Sequence, residues 1–251
     1  MTGQTNRILL SSAGLIAVIT GWILTVSGCH KGEGNTLTNR VHITLIGASI
    51  GEAWHLAEWP SRVQAHEYTA DSLAAWQFDK SEAVEETLIR PKRKVELTRS
   101  YLKSLFQSPP TNPNIVILKE CSSYFPGDME DYKQRVRDWV RQLQAGNIQV
   151  MLATVVPVTQ ARAASAPGKQ ESLLAYNQWI REFAHQQHIP VLDLEAALRE
   201  PGQGSYLRLE YAADDGSHLN DGAYRALDIA LWTTLCQLRP NSVCEAAATH
   251  S

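Results

Sequence analysis

Neither sign of charge is in surplus in this chain of 251 residues: 23 Lys and Arg stand against 26 Asp and Glu, for a net charge of −3. A nucleic-acid partner normally demands a basic face, and no block of like charge is there to supply one. Internal repeats are absent, so no repeat architecture is expected. The chain has neither a G-x-x-x-x-G-K-S/T phosphate loop nor a dinucleotide fingerprint, which excludes both nucleotide sites. Metal-ligand spacing is missing too. His185 and His188 of "HQQH" have no cysteine or carboxylate at ligand distance along the chain and read as surface residues. Neither a metal nor an organic cofactor is expected. Cysteine is scarce, at four residues, but with 44% hydrophobic content the chain can bury a full core without staples.

What is present starts at the N-terminus. "MTGQTNR" carries one cation, Arg7, and an uncharged apolar run then reaches Val26. Val26-Ser27-Gly28-Cys29 resembles a bacterial lipobox, in which Cys29 is acylated after cleavage of a signal peptide over 1–28. An uncleaved anchor is the alternative, since about 18 apolar residues span a bilayer; a bare secretory signal is the third. Each sends the domain out of the cytoplasm, to the periplasm or the exterior. Residues 29–40 are polar and glycine-bearing and read as a tether, 41–240 as one domain, and 241–251 as a C-terminal tail. In an oxidising compartment Cys236 and Cys244 can pair across Pro240, which leaves Cys121 as a buried free thiol.

Within the domain, apolar runs alternate with helical patterns. Strands are expected at 41–46, 63–68, 114–119, 148–154 and 190–194, several of them continuous β-branched runs of the kind covered on both faces. Residues 128–145 place Tyr132, Val136, Trp139, Val140 and Leu143 on one helical face, closed by Gly146-Asn147. A second helix spans 170–187. A third, over 221–237, carries Tyr224, Leu227, Ile229 and Leu231. Such alternation predicts an α/β fold with a parallel sheet between helices, and ligands in that fold collect at the carboxyl ends of the strands.

The first strand ends in "GASIG", with Ser49 between Gly47 and Gly51. These glycines are expected to let the backbone turn tightly from strand to helix and leave Ser49 open. A serine hydroxyl needs a base, and the base an orienting acid. "DDGSHLN" offers both, Asp215 and His218, in a loop before the last helix. Gly216 allows the tight turn between them, and Asn220 can cap the helix that follows. Asp193 reads as the N-cap of "LEAAL" or as a supporting group at the ligand face. Trp54 and Trp59 read as core or rim packing, or as an indole beside Ser49 able to hold an acyl chain or sugar ring.

G-x-S-x-G also fits the α/β-hydrolase elbow, but that elbow follows strands built earlier in the chain, and here only a signal and a tether come first. A G-A-S turn after the first strand, with D-x-x-H before the last helix, resembles the SGNH (GDSL-like) hydrolases over most of 41–237. The resemblance implies a three-layer flavodoxin-like α/β/α fold with a central parallel sheet of about five strands. It also implies a serine hydrolase of ester or acyl bonds, with Ser49 as nucleophile, His218 as base and Asp215 as its partner. A small ester or an acylated glycan or lipid would be the substrate of a monomer held to the membrane by its lipid. The family's middle motifs are not matched. "ILKECSS" stands where glycine and asparagine donors are expected, and the segment after the second strand has no glycine. The Ser49 backbone N–H or the Ser122 hydroxyl can substitute, or Lys119 and Glu120 form a buried pair that organises the site. The other reading is a catalytically weak envelope lipoprotein with a binding or assembly role.

Overall fold

In a computed structural model, the described residues are 40–74, 99–101, 103–104, 107, 114–202 and 204–238, all within one compact unit of the chain. Five parallel strands form one sheet in the order β2-β1-β3-β4-β5. They are β1 (Val41–Gly47), β2 (Tyr68–Ala74), β3 (Asn114–Lys119), β4 (Gln149–Ala153) and β5 (Val191–Leu192). β1 is central, and both of its neighbours come later in the chain. That topology excludes the α/β-hydrolase elbow, whose strand has partners made before it, and gives the flavodoxin-like α/β/α arrangement.

The α-helices with both bounds described are α1 (Ser49–Ala53), α2 (Trp59–Arg62), α3 (Met129–Ala145), α4 (Gln160–Ala164), α5 (Lys169–Gln186), α6 (Leu194–Leu198) and α7 (Asp221–Leu238); residues 99–101, 103–104 and 107 are helical as well. Alternate strand residues feed two separate cores. Ile43, Leu45, Ile115 and Ile117 pack with Trp54, Trp59 and the Leu227, Leu231 and Leu235 stripe of α7. Ile46, Val116, Leu118 and Leu152 pack on the other side with Val136, Trp139, Val140 and Leu143 of α3 and Leu173, Tyr176 and Ile180 of α5. Burial on both faces is why β1 and β3 read as unbroken apolar runs.

Three expectations need correction. The strand expected at 63–68 is not there: residues 63–67 are not extended, and Tyr68 only opens β2. Pro60 opens α2, Gln64 takes a left-handed φ of 58°, and the Ala65 N–H donates to the Pro60 carbonyl, so this segment is a reversal before β2. The true strand, "YTADSLA", is disguised by polar residues with local partners: Thr69 Oγ1 meets His42 Nδ1 at 2.8 Å and the Ser72 hydroxyl donates to the Gly51 carbonyl at 2.8 Å. Ile229 is 65% exposed, because it lies on the opposite face of α7 from Leu227 and Leu231. β5 is shorter than expected because Asp193 already caps α6, accepting from the Ala196 N–H at 3.0 Å. The same carboxylate also takes two donors from Arg181 and one from Thr154. Asn220 caps α7 by accepting from the Ala223 N–H at 3.2 Å.

Cys121 is free and buried, and Cys236 is disulfide-bonded; Cys29 and Cys244 lie outside the described residues, as do the signal, most of the tether and the tail. Among the described residues no helix is long and apolar enough to cross a membrane.

Asp228, in the middle of α7, is buried and ties this helix to the segment after β1. Its carboxylate accepts from Trp54 Nε1 at 2.7 Å and from Arg62 Nε and Nη2 at 2.7 and 2.8 Å. Trp59 Nε1 donates to the Asp228 carbonyl at 3.3 Å, and Arg62 reaches back to the carbonyls of Trp54 and His55. Both indoles are therefore core anchors (1% and 0% exposed) and cannot receive a substrate. Asp228→Ala leaves a half-buried guanidinium and a buried indole N–H without their acceptor. It is expected to lower the unfolding free energy by about 2–4 kcal/mol. Urea denaturation checks this, and a loss under about 1 kcal/mol would show the network to be dispensable.

Candidate active site

β1 delivers the chain to the carboxyl edge of the sheet, where Ala48 is extended and Ser49 begins α1. Gly47 and Gly51 serve a different purpose from the one expected. Neither uses a left-handed backbone; instead a Cβ on either would strike Leu45 Cδ2, at 2.8 and 2.6 Å. The glycines let the turn pack onto the core side chain beneath it.

Ser49 Oγ lies 3.1 Å from His218 Nε2, and His218 Nδ1 lies 2.5 Å from Asp215 Oδ2. The structure thus brings together three residues that span 169 positions of sequence. The loop carrying the last two is held closed on itself. The Asp215 Oδ1 atom accepts from the Ser217 and His218 backbone N–H groups at 2.9 and 2.8 Å. Gly216 has φ 68° and a Cβ there would collide with Thr159 Oγ1, so this position requires glycine for both backbone and space. The Thr159 N–H donates to the Gly216 carbonyl, which fastens the loop to the end of β4.

Burial pushes the Asp215 carboxyl up, but the two backbone donors, followed by the imidazole, outweigh it and hold the group down at about 2. The sign follows: a folded value below the ordinary one near 4 contributes stability above that value, lost as pH falls through about 2. Since backbone donors outrank the imidazole, His218→Ala is expected to return Asp215 only part of the way to its ordinary value. Carbon NMR of labelled aspartate across an acid titration measures this; a full return would assign the depression to the ring.

The other predicted site residues divide. Ser122 and Ser49 both line a cavity of about 130 Å³, which Cys121, Ser123, Lys169, Arg162 and His218 also line. Lys119 and Glu120 are buried at the end of β3 and do not line it; Lys119 Nζ donates to the Glu120 carbonyl at 3.0 Å. The segment where the family's second glycine would fall, after β2, lies outside the described residues.

Sequence reasoning missed Thr159, Arg162 and Lys169. Lys169 is buried, and its Nζ donates to the carbonyls of Ser122 and Phe125 at 2.7 and 2.8 Å, pinning the turn Ser122–Tyr124. Burial lowers its pKa, the Arg162 charge lowers it further, and the Cys121 thiol opposes both. The available signal was position: all three follow β4 at the ligand edge of the sheet. Among the described residues no group of three or more His, Cys, Asp or Glu side chains could hold a metal ion.

A parallel sheet of this order, presenting a serine after its first strand and Asp-x-x-His before its last helix, defines an SGNH-type hydrolase fold. The family model for GDSL-like lipase/acylhydrolase proteins matches residues 98–226, so the chain belongs to that family; the match includes Asp215 and His218 and begins after Ser49. Among solved structures, a GDSL-like lipase from Bacteroides thetaiotaomicron is similar with a TM-score of 0.58 at 14% identity, over 80% of this chain and 89% of that one. An acetyl xylan esterase gives 0.54 at 15% identity over 77% and 99%. A lipase/acylhydrolase from Enterococcus faecalis gives 0.51 at 16% over 76% and 92%. No curated protein matches.

Proposed function

We propose that the protein is a serine esterase or acyl hydrolase working outside the cytoplasm through Ser49, His218 and Asp215. The observation that carries this reading is the unbroken hydrogen-bond line from Ser49 Oγ through the imidazole to Asp215, at 3.1 and 2.5 Å. In the reaction, His218 Nε2 takes the hydroxyl proton as Ser49 Oγ attacks the ester carbonyl. Asp215 accepts the Nδ1–H, fixes the tautomer and stabilises the imidazolium. His218 then gives the proton to the departing alkoxide, and water repeats the sequence on the acyl-enzyme. The Ser49 backbone N–H and the Ser122 hydroxyl are the donors available to the oxyanion, each of a kind worth about 10²–10³ in rate.

A fluorophosphonate probe tests the nucleophile. Labelling is expected in the wild type and absent in Ser49→Ala, and Asp215→Asn is expected to lose about 10³–10⁴ in kcat. Folded wild type that stays unlabelled would leave the chain a scaffold for binding or assembly. For location, "VSGC" supports a lipid anchor at Cys29, with O-acylated glycans, lipids and small esters of the envelope as accessible substrates. Labelled palmitate is expected to enter wild type and not Cys29→Ser; incorporation in both would end the lipobox reading.

A further inference from the structure

The cavity beside Ser49 carries two cations that no carboxylate of the described residues neutralises. Lys169 is only 7% exposed, and its Nζ is held by two backbone carbonyls, with no acid among the described residues at ion-pair distance. Arg162 is exposed, and its Nε donates to Ser217 Oγ at 3.1 Å. That bond orients the guanidinium while its two terminal nitrogens have no partner among the described residues. The acid that lines the cavity, Asp215, is already committed to His218 and to two backbone N–H groups; its neighbour Asp214 is exposed and outside the lining. A buried ammonium without a counter-ion is unusual, because burial disfavours the charged form. The same charge becomes favourable when a ligand supplies the anion.

Position says which part of the ligand that is. Arg162 bonds the residue next to His218, and its Cβ would lie 3.3 Å from a Cβ at Gly216. It therefore stands beside the loop that hands a proton to the leaving alkoxide, on the alcohol side of the ester. We propose that the substrate is an ester of an anionic alcohol, whose carboxylate or phosphate is bound by the terminal nitrogens of Arg162 in the field of Lys169. This rests on the hydrolase reading above and sharpens it to a substrate class. Neutral acyl esters would be turned over more slowly for want of that contact.

The test compares para-acetoxybenzoate and para-acetoxyphenyl phosphate with the neutral para-acetoxybenzamide, all releasing acetate and a phenol. Wild type is expected to favour at least one anionic ester in kcat/KM by about tenfold, with the advantage shrinking as salt is raised. Which of the two leads distinguishes carboxylate from phosphate. Arg162→Gln should bring the anionic-to-neutral ratio close to one, mainly through KM, and Arg162→Lys should retain part of it. Using the ratio cancels any general effect of the lost Ser217 contact. Protection of Ser49 from the fluorophosphonate by para-hydroxybenzoate or para-hydroxyphenyl phosphate, against para-hydroxybenzamide, gives the same discrimination without turnover. Labelling of Ser49 with no charge preference in either measurement, or a preference unchanged in Arg162→Gln, overturns this proposal alone. No labelling of Ser49 overturns the hydrolase reading and this one with it.

Discussion

The carboxylate of Asp228 joins the two halves of the chain that must meet for the site to exist. Ser49 is carried by the segment that runs on through Trp54, Trp59 and Arg62, and His218 by the loop that leads into α7. Apart from the Ser49–His218 contact itself, those segments meet through apolar packing, which is non-directional and tolerates sliding. Asp228 adds direction: Trp54 and Arg62 bind its two oxygens from one side while its own helix holds it from the other. The bonds are worth more for being buried, and they fix α7 against the end of α1 and against α2. A 3.1 Å contact between Ser49 and His218 depends on that placement, since an error of an ångström at the clamp is carried to the site.

Around the nucleophile, electrostatics is arranged by backbone groups more than by side chains. Asp215 is kept ionised by the N–H groups of its own turn, so its charge is available to His218 without an external cation. Across the cavity, Lys169 does the converse, using its ammonium to hold two carbonyls of the turn that includes Ser122. The wall thereby holds a buried ammonium group. The family's shared fold says nothing about this, since function resides in the residues set on it.

Much of the architecture was readable from periodicity. β1, β3 and β4 are apolar runs that can only be satisfied between two layers, and α3 and α7 have a single apolar stripe apiece. What escaped was β2, where Thr69, Asp71 and Ser72 break the pattern; an edge strand faces fewer core residues and its side chains find partners locally. Ile229 escaped for the opposite reason, being apolar on a face that α7 leaves to solvent. In the site, Ser49, Asp215 and His218 stand in short motifs with turn residues around them, and those motifs are visible in one dimension. Arg162 and Lys169 stand in "TQARAASAPGKQ", an unremarkable polar stretch, and only the folding of that stretch over the end of β3 makes one of them a buried cation.

The sequence by itself determined the alternation of strands and helices, the serine turn after the first strand and the Asp-x-x-His loop before the last helix. These are local, set by side-chain period and by glycine in the turns. Tertiary structure alone decided that the two motifs touch, that Gly47 and Gly51 exist to clear Leu45 rather than to bend the chain, and that Lys119 and Glu120 are buried outside the cavity lining. It also brought Lys169 and Arg162 to the cavity beside Ser49. For the two motifs and the cavity the physical reason is the same: each depends on distances between residues far apart in the chain, and those distances follow from how two apolar cores close on one sheet; for the glycines it is the packing of Leu45 against the turn above it.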